Sequence, residues 1–136
     1  MSPRAPATAH ELAQIALLAD LPGERLARLA KQMRREEVPA GQAPVVEGAE
    51  GDRFYVIVNG IFAVSTQGGL GPRAVLRPGD YFGEVALAMH IPRTATVRAL
   101  TPATVCSCDQ TTFDEFIRPF FADEEPGEDQ QFRRVR

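Results

Sequence analysis

Between Phe82 and Val97 the chain reads FGEVALAMHIPRTATV, and two residues in it can do polar chemistry together: Glu84 and Arg93, nine positions apart. Arg93 carries a permanently charged planar fork that matches phosphate oxygens. Gly83 lets the backbone come close to a ligand, and EVALA can form a short helical turn whose first N–H groups lack intrahelical partners and favour an anion. Ala95 is small enough for its own N–H to approach the same anion. Glu84 would repel a phosphate at contact distance, so it belongs opposite another part of the ligand, and a ribose hydroxyl, which donates a hydrogen bond, suits it. A phosphate beside a ribose hydroxyl describes a nucleotide. The same two residue types also make a Glu84–Arg93 ion pair that ties a loop to a sheet, and the pair alone does not decide between these readings.

No catalytic constellation accompanies the pair. There is no second carboxylate at suitable spacing, no nucleophile with a histidine base and no P-loop, so an enzyme is not expected. His10 and His90 are the only histidines, too few for the metal cluster of a cupin-type enzyme, and His90 is expected as an exposed loop residue. The two cysteines fall in CSC, at Cys106 and Cys108. Two apart on a strand they point the same way, which suits small buried side chains rather than a disulfide or a metal site.

With 136 residues, 44% hydrophobic and 24% charged, the chain has the size and composition of one globular domain. Its net charge of −3 gives no field for nucleic acid or anionic membrane. No apolar run reaches the roughly 20 residues of a membrane helix, and MSPRAPATAHELAQ lacks a secretory h-region, so a cytoplasmic location is expected. Nothing after Phe121 is long enough for a helix–turn–helix, so DNA is not an expected partner.

Positioning the pair requires a scaffold, and the pattern predicts helices, then short strands, then a helix. Helices are expected over 8–34: Thr8 and Glu11 make a capping-box pattern, and Leu26, Leu29, Ala30 and Met33 recur at helical spacing, with Pro22 at the start of the second helix. From 35 to 110, glycine and proline punctuate the runs APVVE, RFYVIV, IFAVS, RAVLR, TATVRAL and ATVCSC. Short strands so spaced predict an antiparallel sandwich or barrel, with FYVIV, apolar on both faces, as a central strand. A C-terminal helix is expected over 112–118, capped by Thr112 and Glu115, with Phe113, Phe116, Ile117, Phe120 and Phe121 forming its apolar stripe and Pro119 ending or kinking it around Arg118. Residues 122–136 are expected to be a flexible polar tail or linker, leaving 1–121 as a single domain.

FGEVAL, five residues, then RTATV resembles the phosphate-binding cassette of the cyclic-nucleotide-binding domain family. PAGQAPVVEGAEGDRFYVIVNGIFAV resembles that family's early strands, with Gly41, Gly48, Asp52, Tyr55 and Gly60 at turn and packing positions, and LRPGDYFGE resembles the approach to the cassette. The likeness covers about residues 20–118. It implies a mainly β fold with flanking α-helices: an antiparallel double-stranded β-helix (jelly roll) with N-terminal helices and a C-terminal lid helix. It further implies that Glu84 accepts from the ribose 2′-hydroxyl and that Arg93 pairs with the cyclic phosphate. Backbone N–H groups at Gly83, Val85 or Ala86 and Ala95 would help. Thr94 would reach the phosphate or the base, and Val75 and Leu87 would line the base pocket. Met89 and His90 depart from the glycine or aromatic common there. The function so implied is a sensor of cAMP or cGMP, with no other cofactor. It would signal through its C-terminal helix to a fused or separate effector such as a transporter, channel or kinase. The alternative is an interaction module that kept the fold without responding to nucleotide.

Overall fold

The computed structural model describes residues 7–69 and 74–121, and the tail expected over 122–136 lies outside them. Three helical pieces open the chain. In α1 (Ala9–Ala13) the Thr8 hydroxyl accepts from the Glu11 N–H at 3.1 Å, and the Glu11 carboxylate accepts from the Thr8 N–H at 3.2 Å, the expected capping box. A 3₁₀ turn (Ala16–Leu18) follows, then α2 (Gly23–Gln32) with Pro22 at its N-cap. α2 buries Leu26, Leu29 and Ala30, the stripe read from the sequence. The helical region ends sooner than expected, because Arg34 already opens a strand.

Among the described residues, seven strands form two antiparallel sheets. The first has the order β1 (Arg34–Val38), β7 (Ala103–Asp109), β2 (Arg53–Asn59), β5 (Tyr81–Phe82); the second has the order β4 (Ala74–Leu76), β3 (Phe62–Ser65), β6 (Thr96–Ala99). β1 was missed because RREEV reads as charge, yet it lies at the sheet edge, paired only with β7, where charged residues suit a strand. APVVE, expected as a strand, contributes only an isolated bridge from Val45 to Val97.

The central strands of the first sheet, β7 and β2, are buried on both faces, which explains their apolar runs. Phe54, Val56, Cys106 and Cys108 face the helices, in one core with Leu12, Ile15, Leu29 and Phe113. Their neighbours Tyr55, Ile57 and Val105 face the second sheet, in a core with Phe62, Val64, Phe82 and Val97. Strand periodicity thus splits β2 and β7 between two cores. Burial pushes the Cys106 thiol up to about 11 and the Cys108 thiol up to about 12, so both stay protonated and unreactive.

The C-terminal segment departs from its expected boundaries and cap. A short α turn, α4 (Gln110–Thr112), passes into a π turn (Phe113–Ile117) and then a 3₁₀ turn (Arg118–Phe120). The cap is Asp109, whose Oδ1 accepts from the Thr112 N–H at 2.9 Å, rather than a Thr112–Glu115 box. The winding changes at Arg118, where an end or a kink was expected. Pro119 sits at the start of the 3₁₀ turn, where its missing N–H costs little. The aromatic stripe is core: Phe113 lies 5.5 Å from Phe54 between ring centroids, and Phe121 lies 6.1 Å from Tyr81.

Candidate functional site

β5 delivers the chain to Gly83, which adopts a left-handed φ of 94° and caps α3 (Glu84–Met89). A side chain there is disfavoured twice, by that φ and by space: a Cβ would lie 2.9 Å from the Arg53 carbonyl oxygen and 3.1 Å from Arg93 Nη1. At its other end α3 stops on His90, a non-glycine residue at φ 55°, exposed to solvent.

Arg93 is 6% exposed. Its Nη1 donates to the Gly83 carbonyl at 3.1 Å and its Nη2 to the Arg53 carbonyl at 2.8 Å. The guanidinium also lies against bare backbone at Gly51, where a Cβ would come within 2.7 Å of Nε and 2.8 Å of Cζ. Its own main chain is zipped to the preceding loop: Arg93 N–H donates to Ala49 at 2.8 Å, Gly48 N–H to Arg93 at 2.9 Å, and Val97 N–H to Val45 at 2.8 Å. Burial pulls the guanidinium's pKa below its ordinary value, opposed by Tyr55 and Asp52. Arginine starts so high that the charge survives. A fork with five N–H donors, two of them on carbonyls, keeps the geometry for an oxyanion.

The other expected residues fall into three groups. Glu84, at 5% exposure, and Ala86 are buried at the start of α3 beside Gly83, and Ala95 is buried two residues beyond Arg93. Val85 is half-buried and Thr94 exposed. Val75 stands 41% exposed on β4 in the second sheet, opposite Ala63. Leu87 is fully buried in the helix-side core with Leu12, Ile15 and Phe113. α3 packs between sheet and helices, and Leu87 faces the helices.

Several contributors escaped the sequence reading. Gly51 shapes the bed of Arg93 and looked like one more loop glycine. Arg53 acts through its carbonyl while its side chain is clamped, Nε donating to Ser107 Oγ at 2.9 Å and Ser107 donating to the Glu36 carboxylate. Gln110, Asp114 and Arg118 converge on the far end of α3. Their spacing of four was a visible signal, hidden beside the aromatic stripe. Among the described residues no group of three or more His, Cys, Asp or Glu could hold a metal ion, and no helix is long and apolar enough to cross a membrane.

Comparison with known proteins bears on this arrangement. The chain is 37% identical over 108 residues to a cAMP-dependent protein kinase regulatory subunit of Yarrowia lipolytica, covering 79% of this chain and 29% of that one. It therefore spans under a third of that relative's length. The regulatory domain of Toxoplasma gondii PKA solved with cAMP superposes with a TM-score of 0.74 at 27% identity, over 82% of this chain and 44% of that one. The regulatory subunit of a cAMP-independent protein kinase A from Trypanosoma brucei has a TM-score of 0.78 at 21% identity, over 91% and 49% of the two chains, a likeness of fold alone. The family model described as cyclic nucleotide-binding domain matches residues 35–119, from β1 through the buried Arg93 to the C-terminal turn. The chain belongs to the cyclic nucleotide-binding domain family.

Proposed function

We propose that this domain binds a 3′,5′-cyclic nucleotide, with cAMP as the first candidate, and acts as the regulatory part of a protein kinase system. The observation that carries the reading is Arg93: a buried, charged fork held in place by backbone carbonyls and by the missing side chains of Gly51 and Gly83. In this reading Arg93 receives the cyclic phosphate, with N–H groups of Gly83, Val85, Ala86 and Ala95 around it. Glu84 accepts from the ribose 2′-hydroxyl. Thr94, exposed beside the arginine, accepts the amino group of a syn guanine and so lets cGMP bind as well. Val75 and Leu87 are the apolar candidates for the base. The relatives named above favour a kinase catalytic subunit as the effector over a transporter or channel, and a cytoplasmic location is consistent with them.

Calorimetric titration with cAMP, cGMP and linear 5′-AMP tests the reading. A cyclic nucleotide should bind at micromolar or tighter affinity, about −8 kcal/mol, with 5′-AMP much weaker. Absence of heat and of any thermal shift at millimolar cyclic nucleotide would instead favour the interaction module. The likeness in fold to a kinase regulatory subunit described as cAMP-independent keeps that module as the second reading.

A further inference from the structure

We propose that Gln110, Asp114 and Arg118 are positioning residues: they hold the far end of α3 and thereby keep Glu84 and Arg93 in the ligand-binding arrangement. The three recur every fourth residue along the C-terminal segment, and two of them, Gln110 and Arg118, reach the same carbonyl. Gln110 Nε2 donates to the Leu87 carbonyl at 3.0 Å. Arg118 Nη2 donates to the same carbonyl and Nη1 to that of Ala88, each at 3.1 Å. Asp114 holds both donors in place, accepting from Gln110 Nε2 and from Arg118 Nε at 2.9 Å each. The Arg118 guanidinium also sits 5.6 Å from the centroid of the Phe113 ring. The last carbonyls of a helix have no partner within it, so they take their order from outside.

α3 has only six residues, and whatever fixes one end fixes the other. Its first residue is Glu84, its cap Gly83 receives Arg93, and its Ala86 packs against Gly51 beside the same guanidinium. The opposite side of the C-terminal segment is tied elsewhere. Arg28 pairs with Glu115 at 3.4 Å, and Arg25 lies over Phe116 at 4.7 Å, both reaching across from α2. The segment therefore has one polar set for α2 and another for α3, and only the second touches the element that carries the site. That division separates positioning from mere attachment of the segment.

The test compares Arg118→Ala and Arg118→Lys with Glu115→Gln as the α2-side control. Its affinity arm rests on the nucleotide-binding reading; its exchange arm does not. Without nucleotide, Arg118→Ala should raise hydrogen exchange at the α3 amides by about tenfold. Glu115→Gln should leave them unchanged, and lysine, which cannot fork to both carbonyls, should restore them in part. The cAMP dissociation constant should rise about three- to tenfold in Arg118→Ala, within the usual range of coupling between sites, and remain at the parent value in Glu115→Gln. Unchanged α3 exchange in folded Arg118→Ala overturns the proposal. So does faster exchange with an unchanged dissociation constant, or equal effects from Glu115→Gln. Where the parent binds no cyclic nucleotide, the functional reading fails and the exchange result alone decides this one. If Arg118→Ala does not fold, Gln110→Ala carries the same two readouts.

Discussion

Two guanidiniums grip α3, one at each end. Arg93 donates to the carbonyls of Gly83 and Arg53, and Arg118 to those of Leu87 and Ala88, at nearly equal distances. Their surroundings differ. Arg93 is 6% exposed and wedged against backbone at Gly51 and Gly83, whereas the Arg118 side chain is 35% exposed. Hydrogen bonds of the same count therefore have different worth. Water cannot replace Arg93, so losing it strands two carbonyls and leaves a void. Water can replace much of what Arg118 offers. A grip of the first kind is a permanent part of a site, and one of the second kind can be made and released at small cost.

The largest break in this comparison should come from Arg93→Ala. It should lower cAMP binding by about 2–4 kcal/mol, because a desolvated phosphate loses its nearby full charge. It should also destabilise the free chain by about 1–3 kcal/mol per stranded acceptor. Arg118→Ala should cost less than about 1 kcal/mol in the same denaturant titration. Equal losses would mean that burial does not distinguish the two grips.

Gly51→Ala comes next. Its Cβ would lie 2.7 Å from Arg93 Nε and from Ala86 Cβ, closer than side chains tolerate. A strain of about 1–3 kcal/mol is expected. Paired with Arg93→Ala it should lose part of that cost, since the clash with the guanidinium is gone while the one with Ala86 Cβ remains. A double-mutant cycle with no coupling would show that Gly51 serves the loop rather than the arginine.

Glu84→Gln should weaken cAMP by about 1–2 kcal/mol, the difference between a charged and a neutral acceptor. The loss should nearly vanish with 2′-deoxy-cAMP, which lacks the proposed partner. Equal weakening of both ligands removes the ribose role and leaves Glu84 as a structural residue of α3.

How much of this was legible follows the same division. The cassette could be read from Gly83, Glu84 and Arg93 because charge and backbone freedom are properties of single residues. The two-faced central strand could be read from FYVIV because burial on both sides removes polar alternation. β1 could not, because an edge strand tolerates RREEV and its partner strand is β7, far away in sequence. The full burial of Leu87 could not be read, because its facing depends on how α3 docks, which spacing does not state. The C-terminal segment was read through its aromatic stripe. The spacing of four in Gln110, Asp114 and Arg118 was visible, but the carbonyls that Gln110 and Arg118 reach are main chain, which no sequence pattern marks. Thr112 was read as a cap because T-x-x-E matched, while the chain uses Asp109 three residues earlier, directly at the end of β7.

The smallest effect, and the one that sharpens the comparison, is acidic. The Arg93 grip is on carbonyls, which do not titrate. The Arg118 grip runs through Asp114. Burial raises the pKa of Asp114, but hydrogen bonds from Gln110 and Arg118 together outweigh it and hold it below its ordinary 3.8. Asp109 is lowered too, chiefly by the N–H of Thr112. For both, the unfolded chain takes up the proton more readily than the folded one. Their stabilisation is complete above the ordinary carboxylate value and is lost as pH falls below it, through the lowered one. Exchange at Met89 and His90 should therefore quicken as pH drops below about 4, after correction for the intrinsic rate. In Asp114→Asn that acid dependence should disappear at Met89 and His90, while whatever acid dependence Val85 has is kept. Asp109→Asn keeps a capping oxygen and should flatten part of the acid slope of global stability without a loss at neutral pH, where Asp109→Ala should cost about 1 kcal/mol. Identical acid profiles at Met89 in the parent and in Asp114→Asn would show that Arg118 holds α3 without help from its carboxylate, and the two grips would then differ in exposure alone.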